Sequence, residues 1–264
     1  MINYSEHGFT LIEITIVLFI VGLLVAGLLG PLETQLEARD RNATIDTMDE
    51  VLEILYGFAI TNGRLPCPDT TGDGVSNPAF DPNVPATANC ANNGEGFLPW
   101  VELGSAQGDA WGNRFRYRVT NPGFTLPDSD GLCNGNGVEL DLCTNGDIII
   151  QTRGDDPASG GTEGKFEMRL AANLPAVIVS HGRNGFGATS VTGIARPAPA
   201  ASNADELMNT DANETFISRV FTGENTGCAD DEVETTALCE YDDIVKWLSP
   251  ALLNNRMVVS GQLP

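Results

Sequence analysis

From Ile14 to Leu32 the chain carries no ionisable side chain, and this run, led in by Gly8-Phe9-Thr10-Leu11-Ile12-Glu13, constrains everything that follows. A helix rising about 1.5 Å per residue over such a run matches the ~30 Å hydrocarbon core of a bilayer. The sequence therefore predicts a membrane span. Glu13 is its one charge. Inserting a carboxylate into an apolar helix costs about 2.5–3.5 kcal/mol, less toward the interface. Two readings stand: Glu13 sits at the interface, or it meets a positive charge supplied by a neighbouring chain. A cut after Gly8 would create such a charge, the α-amine of Phe9, four residues away on the same helix and also available from an adjacent copy.

Gly-Phe-Thr-Leu-Ile-Glu followed by about twenty apolar residues resembles the class III signal of type IV prepilins and type II secretion pseudopilins. The resemblance implies that prepilin peptidase, a membrane aspartyl peptidase, cuts after Gly8. It also implies that Phe9 becomes the methylated N-terminus and that Glu13 guides docking onto other pilin or pseudopilin subunits. A secretory signal with a small-residue cleavage site near residues 25–30 is the alternative. The length of the apolar run and the unbroken helical pattern after it weigh against that. Residues 1–8 have no Lys or Arg, so orientation follows from the resemblance and the cysteines rather than from the positive-inside rule.

With one span, a chain of 264 residues leaves more than 200 for a domain with its own core. The formal charge of −22 becomes −21 when residues 1–8 are removed, since Glu6 is their only charged side chain. A surface so acidic repels phosphate backbones, which argues against nucleic acid as a partner. The cysteines, at 67, 90, 133, 143, 228 and 239, all follow the span and form no C-x-x-C pair. An even count in an exported domain suggests disulfides. Nearest-neighbour pairing (Cys67 with Cys90, Cys133 with Cys143, Cys228 with Cys239) closes three Gly/Asn/Asp-rich loops with little core of their own; free buried thiols are the alternative.

After Pro31, Leu32, Leu36, Ile45, Met48, Leu52, Leu55 and Ala59 fall on one helical face, and Glu33, Glu37, Arg39, Asp40, Arg41, Asp46, Asp49, Glu50 and Glu53 on the other. Pro31 and Gly22, Gly27 and Gly30 would kink or loosen this helix, and Asn62-Gly63 would end it. From Leu65 to about Gly108 the chain reads as a structured loop. In it Asp69, Thr71 and Asp73 resemble the start of a calcium loop, but Phe80 stands where the closing Glu belongs, and a plain Asx-rich turn is the competing reading. Arg114 to Val119 alternates as a strand with Phe115, Tyr117 and Val119 inward and three arginines opposite. Those arginines meet the chain's own carboxylates or dock an acidic partner. With the turn before it, Asp109-Ala110-Trp111-Gly112-Asn113 is similar to the D-P-W-G-N turn and strand of major pseudopilin heads, Ala110 replacing the proline. Further strands are expected at 147–152, 165–170 (an edge), 175–180, 216–221 and 244–248, with a short helix at 205–208 and a closing helix after Ser249-Pro250.

Chemistry is sparse. Ser180 and His181, adjacent on a strand, point to opposite faces and cannot act as nucleophile and base. Asp155-Asp156, Asp230-Asp231 and Asp242-Asp243 occur as an acidic chain supplies them by abundance, and Arg-Gly-Asp at 153–155 is a chance turn. Trp100, Trp111 and Trp247 read as core anchors. The expected protein is α+β and pilin-like: leader 1–8, span 9–32, amphipathic helix 33–62, and a head 63–264 built on an antiparallel sheet with disulfide-stapled loops. Its expected role is as a structural pseudopilin or minor pilin in a bacterial inner membrane, head in the periplasm, taken up by an inner-membrane assembly platform into a secretion pseudopilus or a type IV pilus. A membrane-anchored calcium-dependent adhesin and a tethered periplasmic enzyme are the alternatives.

Overall fold

The computed structural model describes residues 10–81, 89–129, 131, 133, 139–154, 166–233 and 236–264, with the side chains of 25–33 and 166 outside that description. The chain divides into two compact units, one ending at Asn42 and one comprising Ala43–Pro264. Helix α1, Leu11–Asn62, contributes residues to both and is helical through Gly22, Gly27, Gly30 and Pro31.

In the first unit, the large apolar side chains from Leu11 to Leu24 are all exposed, from 46% at Ile14 to 84% at Leu11. Among the described residues no helix is long and apolar enough to cross a membrane. The span read from the sequence is therefore not reproduced there: the apolar run continues past Leu24 into residues 25–33, whose side chains lie outside the description.

In the second unit, the C-terminal turns of α1 bury Met48, Val51, Leu55, Tyr56 and Ala59, with Ile45 and Leu52 packed beside them. Successive spacings of three and four keep these on one face. The helix stops where Gly63 takes φ +69° and its N–H bonds to the carbonyl of Ala59. A four-stranded antiparallel sheet lies against this face in the order β1 (Glu95–Phe97), β2 (Arg116–Val119), β5 (Ala176–Ser180), β7 (Ile244–Trp247). Phe115, Tyr117 and Val119 point inward as expected, each fully buried. Helix α4, Pro250–Ser260, closes the same core with Leu253 and Met257; it is capped by Ser249, whose side chain accepts from the N–H of Leu252.

A second sheet, not foreseen, has the order β4 (Phe166–Leu174), β3 (Ile148–Gly154), β6 (Thr215–Ile217), with β3 antiparallel to β4 and parallel to β6. Strand β5 explains the division. Its Ala176 and Ile178 enter the core with α1, while Val177 and Val179 enter a second core with Ile148, Ile150, Phe216 and Val245. A strand buried on both faces reads as an apolar run, which hides the fact that two layers cover it. The segment 216–221 is strand only at its start, and the loop 65–108 contains β1 and the one-turn helix α2 (Trp100–Leu103).

All three cysteine pairs are bridged as the nearest-neighbour reading expects: Cys67–Cys90, Cys133–Cys143 and Cys228–Cys239. Two buried arginines, Arg153 and Arg219, converge on Asp205 and on Asp230, tying the short helix α3 (Ala204–Met208) to the Cys228–Cys239 loop. Leu55→Ala, which empties a fully buried site, is expected to destabilise the second unit by about 2–5 kcal/mol in urea unfolding; Val259→Ala, at a residue 80% exposed, should change it by less than about 0.5 kcal/mol.

Candidate functional site

Thr10 stands just before the first turn of α1. The N–H of Glu13 bonds to its carbonyl at 3.1 Å and to its Oγ1 at 3.3 Å. Threonine three residues ahead of glutamate has the spacing of a capping box, and a carboxylate in the first turn is favoured by the helix dipole. That capping role for Thr10 is legible in the sequence but was not drawn from it. The Glu13 carboxylate itself has no ion pair or hydrogen-bond partner among the described residues, and it stands in a stretch of exposed apolar side chains. Gly8 and Phe9 lie outside the described residues.

The loop at 69–74 carries the calcium candidates Asp69, Thr71 and Asp73. Asp69 is fully buried; its Oδ1 accepts from the N–H groups of Thr71 and Gly72 and from the Thr71 hydroxyl, and its Oδ2 from the N–H of Gly74. Asp73 caps Val75. In this structure these carboxylates accept from the N–H groups of their own turn, the geometry of an Asx turn.

A different acidic group does gather. Glu206 on α3 and Asp242 and Asp243 at the entry to β7 bring carboxylate oxygens within 4.8 Å of one another, all buried. The Ser180–Gly187 turn completes the arrangement. Gly182, at φ +56°, passes so close to Asp242 that a Cβ there would strike its carboxylate. The Asn184 N–H then reaches Asp242 Oδ2 at 2.8 Å, and its side-chain amide reaches both oxygens of Glu206 at 3.0 and 3.2 Å. Asn203 donates to Glu206 Oε2 at 2.8 Å and Asn209 to Asp243 Oδ2 at 2.8 Å, while His181 Nδ1 lies 3.6 Å from Asp243 Oδ1. Burial, with the Asp243 charge next, pushes Glu206 up to about 8; burial, reinforced by Asp243, pushes Asp242 up to about 7. Such a cluster holds protons near neutral pH or a cation taking oxygen ligands, a class that includes calcium and magnesium. By sequence alone Asp242-Asp243 reads as a product of abundance; no local signal marks that Glu206, thirty-six residues earlier, folds onto it.

Ser180 and His181 do not form a nucleophile–base pair. The Ser180 hydroxyl donates to Asp109 Oδ2 at 2.7 Å, whereas His181 turns toward Asp243. Asp109 organises the Trp111-Gly112 turn, accepting from the N–H groups of Trp111 and Asn113, and Thr44 Oγ1 on α1 accepts from the Ala110 N–H at 3.1 Å. Two of the three strand arginines meet their own carboxylates, Arg116 with Glu95 and Arg118 with Asp147 and Glu214. Arg153 is held by Asp205 and Glu167, and Gly154 ends β3; Asp155, the last residue of the Arg-Gly-Asp tripeptide, and the neighbouring Asp156 lie outside the described residues.

Residues 3–29 match the prokaryotic N-terminal methylation motif. The chain carries a prepilin-type N-terminus. Over 120 residues, 45% of this chain and 74% of the relative, it is 29% identical to the type II secretion system core protein G of Escherichia coli (strain K12). No solved structure matches.

The carboxylate cluster gives a pH test. Because Glu206 and Asp242 have folded values above their ordinary ones, the stability they confer is complete below about 4 and is lost as pH rises through about 7 to 8. Asp243, His181 and Tyr241 face the same cluster. The melting temperature of the wild type is expected to fall over that window, Glu206→Gln should flatten the fall, and millimolar calcium at pH 8 should raise the wild type's melting temperature more than the variant's.

Proposed function

We propose that this chain is a structural subunit of a type II secretion pseudopilus or a type IV pilus, anchored in the inner membrane by its N-terminal segment with residues 43–264 in the periplasm before assembly. The observation that carries the proposal is the methylation motif at residues 3–29, joined to the similarity with core protein G. Prepilin peptidase removes residues 1–8, Phe9 is methylated, and an inner-membrane assembly platform adds the subunit to its neighbours.

The physics of the first unit supports this reading. A helix with exposed Leu11, Ile12, Leu18, Phe19 and Leu24 on all sides is stable only in lipid or packed among other apolar helices. A carboxylate without a partner in that setting selects the arrangement that brings it a counter-charge, so Glu13 enforces register through the cost of leaving it unpaired. The tethered-enzyme alternative gains nothing from Ser180 and His181, which bond away from each other.

Intact-mass and N-terminal analysis of the native protein is expected to show a chain beginning at methylated Phe9. Glu13→Ala should abolish recovery of the protein in sheared filaments while leaving residues 43–264 as protease-resistant as in the wild type. A chain that retains residues 1–8, or one cut beyond the apolar run, overturns the proposal.

A further inference from the structure

Beside strand β1 lies a cleft of about 690 Å³, within the range of small-ligand sites, with Glu95, Phe97, Arg114, Arg116, His181 and Thr189 among its walls. Its charges do not balance. Asp69, also in the wall, is saturated by the donors of its own turn, and Glu95 is paired with Arg116. Arg114 is left. It is 9% exposed, lies over the rings of Phe97 and Trp100 at 5.2 and 4.9 Å, and among the described residues has no carboxylate within 4.0 Å. Among the described residues its guanidinium has a single hydrogen-bond acceptor, the Val191 carbonyl at 3.5 Å, and its Nε has none.

A guanidinium this buried without a counter-ion is unfavourable, and its planar fork fits a carboxylate two-handedly. The surrounding field narrows the choice: in a chain of formal charge −22, a monoanion that only neutralises Arg114 is repelled less than a multiply charged one. We propose that this cleft binds a carboxylate, with Arg114 as its counter-ion and the Phe97 and Trp100 rings holding the guanidinium in place. The carboxylate belongs either to a free small organic acid or to an acidic side chain of a second copy. The site lies wholly in residues 43–264 and stands or falls independently of N-terminal processing.

The test uses the full chain in detergent with Trp111→Phe and Trp247→Phe, so that Trp100, beside Arg114, reports binding by fluorescence. Propionate is expected to give a saturable change, at least tenfold tighter than propionamide, and Arg114→Met to weaken it at least tenfold with unchanged circular dichroism. Should Arg114→Met not fold, Thr189→Glu, which tethers a carboxylate to the cleft wall, is expected to raise the melting temperature and remove the response. If the free acid is inert but self-association in sedimentation is lost in Arg114→Met and kept in the exposed control Arg169→Met, the carboxylate is the second copy's. Equal response to acid and amide, or no Arg114 dependence in either assay, overturns the proposal.

Discussion

The fold of residues 43–264 depends on one strand being dry on both sides. Every residue of β5 is buried, and its alternating side chains serve two separate cores, one closed by the end of α1 and by α4, the other by the second sheet. A backbone in that position has all its polar groups committed to neighbouring strands, here β2 and β7, so its register cannot slip without exposing apolar faces in two directions at once. The loops that carry the Asp109 turn and the carboxylate cluster both abut this strand: Ser180, its last residue, bonds Asp109, and the following turn reaches Asp242 and Glu206. Their precision is borrowed from β5.

The two halves of α1 illustrate opposite uses of the same helical geometry. From Ala43 onward the apolar stripe is narrow and buried within its own unit; before it, apolar residues surround the helix and are satisfied by nothing in the described chain. One half is finished by folding, the other only by company. The Asp109 turn reaches the finished half through Thr44, a polar contact that fixes where β2 begins relative to the helix.

What the sequence disclosed follows from how local the cause is. Asn62-Gly63, Ser249-Pro250 and the alternation of Phe115, Tyr117 and Val119 act within a few residues and stand in the structure as expected. The three disulfides close short loops and were legible from spacing. The second sheet was not, because β3 and β6 are parallel neighbours more than sixty residues apart and β6 is only three residues long. The carboxylate cluster was hidden for the same reason: Glu206 and Asp242 look like ordinary surface acids until α3 is laid beside β7. The burial of Arg114 and Arg118 was equally invisible, since alternation places them opposite the core and suggests solvent, whereas Phe97, Trp100 and Gly72 pack against Arg114 and the carboxylates of Glu95, Asp147 and Glu214 gather at Arg118.

The buried arginines also change what the molecule shows to its surroundings. Arg114 and Arg118 are almost wholly enclosed, and the side chains of Arg153 and Arg219 are 3% exposed, so part of an already small stock of cations is withdrawn from the outer shell. Buried carboxylates such as Asp69, Asp205, Glu206, Asp242 and Asp243 are withdrawn with them, and with 36 acids against 14 basic residues the balance outside stays anionic. Bodies clothed in this way push one another apart over roughly a Debye length, about 8 Å in physiological salt. Crowding such domains together demands either dissolved counter-ions or a strong apolar attraction somewhere else along the chain.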